Sequence, residues 1–244
     1  MTLPAPFRWE GDHIAVPLPG ARVLFTTRRG GVSEAPYDTL NLGLLTEDEP
    51  AAVSENRDRL ATLTGIQRDR FQQGRQVHGA AVFRLFDPPS DELLGESDGQ
   101  VTDLEGVAPI VLTADCLPIA LARPGRVGMI HAGWRGLAKG IVTSGVRVFG
   151  EEPPLTAAIG PGAGPCCYET GEEVHAEFAD LGPSVRHGRN LDLKAIAAAR
   201  LHAAGVEEVH DVGLCTMCGD PELFFSHRRD GGVTGRQAGV AWRS

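Results

Sequence analysis

Glycine and proline punctuate this chain more tightly than anything else in it: 31 Gly and 17 Pro among 244 residues. They lie in short clusters, not in one long linker. Both residues interrupt regular structure, so the clusters mark turns and loops between the elements. No internal repeat, low-complexity tract or domain boundary breaks the pattern, which predicts a single domain over 1–244. Apolar residues at 42% are enough for a sizeable core in a chain of this length. The net charge of −9 argues against general nucleic-acid binding or attraction to an anionic membrane. No stretch reaches the ~20 apolar residues of a membrane helix, and no leader is visible at the start. The expectation is therefore a cytoplasmic protein. In that compartment Cys116, Cys166, Cys167, Cys215 and Cys218 stay reduced, which favours metal or catalytic roles over disulfides.

Hydrophobic spacing predicts strands over His13–Pro17, Val23–Thr27, Val77–Phe86, Ile110–Leu112, Ile119–Ala122 and Val127–Ile130. It predicts a first helix starting near Asp48 as N-cap, with Pro50 in its first turn and Gly65 as its stop. Further helices are expected over Leu137–Phe149, over Glu172–Leu181, and over Asn190–Ala204 with Asn190 as cap. The elements mix without strict βαβ alternation, which predicts a layered α/β or α+β fold of mixed sheets flanked by helices.

Three segments carry the candidate chemistry: Gln76-Val77-His78-Gly79, Ala114-Asp115-Cys116-Leu117-Pro118 and Ile130-His131-Ala132-Gly133-Trp134-Arg135-Gly136. Each sets one nitrogen or sulfur ligand at the end of an apolar strand beside a small or turn-forming residue. His78, Cys116 and His131 make a Cys-His₂ set suited to Zn²⁺, with the fourth tetrahedral position left for water or substrate. Bound zinc lowers the pKa of water to roughly 7. Asp115 is a candidate to orient a ligand or move a proton. Spacing alone leaves two alternatives open. The histidines and Cys116 can be ordinary packed residues, or Cys116 can be a nucleophile with His131 or His78 as its base.

A second cluster, Phe224-Phe225-Ser226-His227-Arg228-Arg229-Asp230 followed by Thr234-Gly235-Arg236, offers guanidinium groups for phosphate or carboxylate. Arg28, Arg29 and Arg135 are candidates to join it. The Ala158–Pro165 loop has neither Walker nor dinucleotide spacing; beyond it the vicinal Cys166-Cys167 can be redox-active, with packing the commoner explanation. His175-x-Glu177 with Cys215-x-x-Cys218 has a spacing like that of zinc nucleobase deaminases, but Leu214 replaces the proline and His175 sits in a helical pattern. No thioredoxin-like context surrounds the Cys-x-x-Cys.

Taken in order, Phe25-Thr26-Thr27-Arg28-Arg29-Gly30-Gly31-Val32-Ser33, Leu40-Asn41-Leu42-Gly43, Gln76-Val77-His78-Gly79, Thr113-Ala114-Asp115-Cys116-Leu117-Pro118, His131-Ala132-Gly133-Trp134-Arg135-Gly136, Cys167-Tyr168-Glu169 and Thr234-Gly235-Arg236 resemble the YfiH family, also called the laccase-domain or multicopper polyphenol oxidase family. The resemblance spans nearly the whole chain. It implies layered mixed sheets related to a deamidating toxin domain of the Cys-His hydrolase type, and zinc on His78, Cys116 and His131. It implies phosphorolysis of adenosine, inosine, guanosine and methylthioadenosine, with adenosine deamination as a second activity. Within that reading Asp115, Cys116 and Arg135 are catalytic candidates, and Asn41, Arg28, Arg228, Arg229 and Arg236 bind nucleoside and phosphate. Another branch of the family resembles a peptidoglycan editing amidase that removes L-Ser from UDP-MurNAc-L-Ser. A non-catalytic metal-binding protein is the third class. The chain departs from the family in having His227 where Tyr often stands before Arg228-Arg229. Copper phenol oxidation ranks below these, because eight histidines without one His-x-His pair are a poor supply for a trinuclear cluster. Copper remains a possible substitute for zinc in an N/S site.

Overall fold

Two six-stranded sheets stack face to face, and helices pack on both outer faces. The computed structural model describes residues 1–86, 94–150 and 154–244. In chain order the elements are β1 (Arg8–Glu10), β2 (His13–Leu18), β3 (Ala21–Phe25), α1 (Pro50–Thr64), β4 (Phe71–Gln72), β5 (Val82–Leu85), β6 (Gly99–Thr102), β7 (Ala108–Thr113), β8 (Leu117–Arg123) and β9 (Arg126–Ala132). They continue with α2 (Trp134–Ala138), α3 (Ile141–Phe149), β10 (Thr156–Ile159), α4 (Glu172–Ala176), α5 (Leu193–Ala203), β11 (Glu208–Asp211) and β12 (Gln237–Arg243). The first sheet runs β1-β2-β3-β12-β7-β4 and the second β11-β10-β8-β9-β6-β5. Most pairs are antiparallel; β4 with β7, β10 with β11 and β5 with β6 are parallel. Two-stranded ribbons add Gly74–Arg75 with Leu94–Glu96, and Arg186–His187 with Asn190–Leu191.

Side-chain alternation along β8 shows how the layers form. Leu117, Ile119 and Leu121 point out to Ile141, Phe149, Ile196 and Leu201 on α3 and α5. Ala120 and Ala122 point in, against Phe25, Val111 and Ala241 of the first sheet. Large residues therefore anchor the helices, and small ones let the sheets approach. On the far side of the first sheet, Leu60 of α1 packs with Leu24, Ile110 and Trp242.

The helix boundaries differ from the sequence reading, and local chemistry explains each case. Glu49, not Asp48, precedes α1; Asp48 instead accepts hydrogen bonds from Ser33 and Asn41. The expected 137–149 helix is two, α2 and α3, because Gly140 at φ 84° takes a left-handed conformation between them. Only Glu172–Ala176 of the third helix is α-helical, and a 3₁₀ stretch with Pro183 follows. Asp192, not Asn190, caps α5, accepting from the Lys194 and Ala195 N–H groups. Of the expected 77–86 strand, 82–85 is extended and 77–80 forms a loop.

Candidate metal centre and its cavity

The β8–β9 hairpin builds the centre. Its register pairs Leu117 with Ala132 and Arg123 with Arg126, around Pro124-Gly125. This sets Cys116, just before β8, beside Gly133, just after β9, with His131 across from Pro118. A Cβ on Gly133 would stand 2.6 Å from Cys116 Sγ and 3.4 Å from His78 Cδ2. Only glycine fits between those two side chains. His78 arrives on the loop before β5, and its ring lies edge-on to that of His131 with centroids 5.0 Å apart. One donor atom each from His78, Cys116 and His131 lies within 4.8 Å of the others. The three side chains thus form a possible metal-binding group.

Asp98 assembles this group, and the sequence analysis missed it. Its side chain is fully buried. Oδ1 accepts from His131 Nδ1 at 2.8 Å and from the His78 N–H at 3.0 Å. Oδ2 accepts from the Gly79 and Val77 N–H groups at 2.7 and 3.2 Å. One carboxylate therefore fixes both the His78 loop, where His78 has φ 56°, and the orientation of His131. With Nδ1 engaged, Nε2 of His131 is the atom left to ligate. A lone aspartate in Ser97-Asp98-Gly99 gives no sequence signal of such a role.

The electrostatics suit a cation. Burial pushes the Cys116 thiol up, but the imidazoles of His131 and His78 outweigh it and bring it down to about 6. Burial works against charge on His131, yet the Cys116 thiolate and Asp98 raise it to about 9. Burial likewise opposes the Asp98 charge, and His131 with the Gly79 and Val77 N–H groups still holds the carboxyl below its ordinary value. Thiolate and carboxylate together attract a positive charge, which is a proton on His131 when no metal ion is bound.

The donors stand at one end of a cavity of about 340 Å³. Leu44, Leu45, Leu112 and Leu193 give it apolar walls, and Tyr168, His227, Arg228 and Arg236 give it polar ones. Burial raises the Tyr168 phenol to about 12, with the nearby Cys116 charge adding to the shift. Arg228 lies over the Tyr168 ring at 5.3 Å and donates to the Glu169 carbonyl. Asp115 is the only carboxylate lining the cavity among the described residues. Its Oδ1 accepts from the Thr216 hydroxyl at 2.7 Å and its Oδ2 from the Arg228 N–H at 3.0 Å.

Of the residues singled out in the sequence, His78, Asp115, Cys116, His131, Arg228 and Arg236 line this cavity. The others do not. Asn41 is buried, and its amide is consumed by Thr46, Asp48, Gly43 and the Arg236 N–H. It holds the Arg236 segment and has no group free for ribose. Arg28 binds Asp38 and the Pro221 carbonyl. Arg229 binds Asp230 and the Thr216 and Phe224 carbonyls. Arg29 binds the Glu222 carbonyl. Arg135 is exposed and stacked on Trp134 at 4.4 Å, outside the cavity lining. The deaminase-like spacing does not assemble: His175 Nε2 lies near Thr170 and the Arg189 carbonyl, and His175 joins no donor group among the described residues. Cys215 and Cys218 instead meet Cys166 and Cys167, and the four thiols form a second possible metal-binding group.

Comparison with known proteins places the whole chain in one family and one fold. A family profile described as multi-copper polyphenol oxidoreductase laccase matches residues 22–244. A Xylella fastidiosa protein named purine nucleoside phosphorylase is 42% identical, over 93% of this chain and 94% of the relative. A Deinococcus radiodurans protein of the same name is 40% identical, over 98% and 94%. Among solved structures, YlmD from Geobacillus stearothermophilus superposes with TM-score 0.90 at 34% identity, covering 98% of this chain and 99% of that one. Bacillus licheniformis YfiH gives 0.91 at 30%, covering 98% and 100%.

Proposed function

The chain belongs to the multi-copper polyphenol oxidoreductase laccase family, and from that membership we propose a zinc-dependent purine nucleoside phosphorylase that also deaminates adenosine. The substrates on this reading are adenosine, inosine, guanosine and S-methyl-5′-thioadenosine. The carrying observation is a Cys-His₂ donor group at the end of a cavity that also presents Arg228 and Arg236. The relatives' names support an enzyme of this kind.

Zinc suits a borderline N₂S donor set with one preformed thiolate, and when bound it supplies a Lewis acid. In phosphorolysis the C1′–N9 bond breaks, a phosphate oxygen bonds to C1′, and the base leaves carrying the proton that the phosphate gives up. Arg228 and Arg236 bind the phosphate and neutralise its charge. Tyr168 keeps its proton at neutral pH and donates it as a hydrogen bond. The leucine walls take the purine face and exclude water that would compete with phosphate. In deamination water attacks C6 of the purine instead, the C6–N6 bond breaks, and Asp115, the carboxylate of the cavity, passes the water's proton to the amine, which leaves as ammonia. The copper oxidase reading has less support: the described residues bring only two histidines into a donor group.

The test is adenosine plus phosphate with parent protein and Cys116→Ala, each at known metal content. Ribose-1-phosphate and adenine are expected from the parent, with product falling at least a hundredfold in the variant. Undiminished ribose-1-phosphate from Cys116→Ala overturns the role of the metal group.

A further inference from the structure

Four sulfurs meet outside the cavity wall, from two loops about fifty residues apart in sequence. Their meeting follows from the sheet. β10 and β11 are parallel neighbours, with Ile159 opposite Asp211, so the loops leaving their C-terminal ends run side by side. Gly162 donates to the Leu214 carbonyl and Thr216 donates to the Gly162 carbonyl, which locks the two loops together. Cys166 and Cys167 lie on the first loop, Cys215 and Cys218 on the second.

The local geometry is that of a metal knuckle. Cys215-Thr216-Met217-Cys218 turns back on itself, and a Cβ on the following Gly219 would stand 2.3 Å from the Cys215 carbonyl oxygen. Glycine is thus required at the turn. On the other loop, the Gly164 N–H donates to Cys215 Sγ at 3.3 Å, and a Cβ there would stand 3.3 Å from Cys166 Sγ. All four Sγ atoms lie within 4.8 Å of one another. The Cys166–Cys167 and Cys167–Cys215 separations are 3.7 and 3.5 Å. A tetrahedron with Zn–S bonds of about 2.3 Å has sulfur–sulfur edges of about 3.8 Å, so even the adjacent pair Cys166-Cys167 spans one edge. Cys166 and Cys218 are closer, at 2.8 Å, and open by about 1 Å on binding.

We propose that Cys166, Cys167, Cys215 and Cys218 bind one Zn²⁺ in a closed, all-sulfur structural site. The site clamps the loops that carry Tyr168 and Thr216, and through them the position of Arg228 and Asp115 on the cavity wall. Four protein ligands leave no position for substrate, so its role is to hold shape. Binding releases the thiol protons and adds a metal tie to the backbone hydrogen bonds that join the two loops. The inference is independent of which reaction the cavity performs.

The test uses Cys116→Ala, in which every remaining thiolate belongs to this site. Loaded with Co²⁺, it is expected to show sulfur-to-cobalt charge-transfer absorption with tetrahedral d–d bands, and both vanish when Cys166→Ser and Cys218→Ser are added. By metal analysis, parent protein carries two zinc equivalents per chain, and Cys166→Ser/Cys218→Ser carries one. A parent that carries a single equivalent, unchanged in the double variant, overturns the proposal. So does a Cys166–Cys218 or Cys167–Cys215 disulfide found by mass mapping of zinc-replete protein, or a Cys116→Ala protein that takes up Co²⁺ without thiolate absorption.

Discussion

The two sulfur-bearing groups of this molecule are built by opposite means. At the cavity, His78, Cys116 and His131 come from three separate segments, and a buried carboxylate, Asp98, holds two of them. On the outer loops, four cysteines come from two adjacent segments, and backbone N–H groups stand beside them. The first group stops at three donors and looks into a cavity; the second supplies four and looks outward. On the proposed assignments, donor number separates chemistry from scaffolding, because a metal ion gains reactivity only where a coordination position stays open. The neighbouring glycines serve different ends too. Gly133 makes room for two ligands to approach each other, whereas Gly219 makes room for a turn.

The largest expected effect that separates the groups is at Asp98. Replacing it with Ala leaves His131 Nδ1 and three backbone N–H groups without their acceptor. Only His131 Nδ1 is left buried without its acceptor, at about 1–3 kcal/mol, while water can serve the part-buried N–H groups, so the loss of stability should be about 1–3 kcal/mol by urea unfolding. Zinc affinity at the cavity should fall about 10–100-fold in a competition titration. The thiolate–cobalt spectrum of the four-cysteine loops should not move. Asp98→Asn keeps one acceptor oxygen and should lie between the two. Cavity affinity equal to the parent's in both variants would break the distinction between the groups.

The legible part of the site was the part written in strand ends. Cys116 and His131 flank a Pro124-Gly125 turn with equal arms, so the hairpin that joins them is local in sequence. The layered fold followed from short apolar runs between glycines and prolines, and the strands over 13–18, 108–113, 117–123 and 126–132 fell where expected. Three things were not legible. Asp98 carries no motif; its role exists only because β6 pairs beside β9. The four-cysteine cluster depends on a parallel pairing of β10 and β11 across about fifty residues, which periodicity does not reveal. Arg28 and Arg229 looked like an anion site by composition, yet backbone carbonyls and acidic side chains already occupy them.

Thiol reactivity sharpens the same comparison with a moderate effect. In metal-free, reduced protein, Cys116 sits at about 6, drawn down by His131 and His78 against the cost of burial. Cys166 lies at about 12, raised by burial and by sharing hydrogen bonds with Cys218 and Cys215. The thiolate is the form that reacts, and its fraction rises with pH. Cys116 should therefore reach half its maximal alkylation rate near pH 6 and be about nine-tenths ionised at pH 7. Cys166, though exposed, should stay slow until the solution is strongly alkaline. Alkylation with peptide mapping between pH 5 and 9 reads both. Zinc added before the reagent should protect Cys116 across the range, since the metal takes the electron pair that attacks. A Cys116 midpoint near 8.5 would mean that the imidazoles do not hold the thiolate.

The smallest effect tests which arginines face the substrate. Arg228 and Arg236 line the cavity, and desolvation makes the Arg236 guanidinium a costly charge to bury without an anion. Arg135 has the opposite setting: exposed, stacked on Trp134, and outside the lining. Its charge still reaches Tyr168 and favours the ionised phenol, so it is not electrically silent. Screened by solvent, that influence is worth little. Arg228→Ala should raise the phosphate KM about tenfold, the loss of one charge-assisted hydrogen bond. Arg135→Ala should change kcat and the phosphate KM by less than about twofold, and stability by no more than ~0.5 kcal/mol. A tenfold rise in phosphate KM for Arg135→Ala at unchanged stability would move the anion site to the mouth of the cavity, between Trp134 and Tyr168. It would also restore to Arg135 the role its position in the His-Ala-Gly-Trp-Arg-Gly motif suggests.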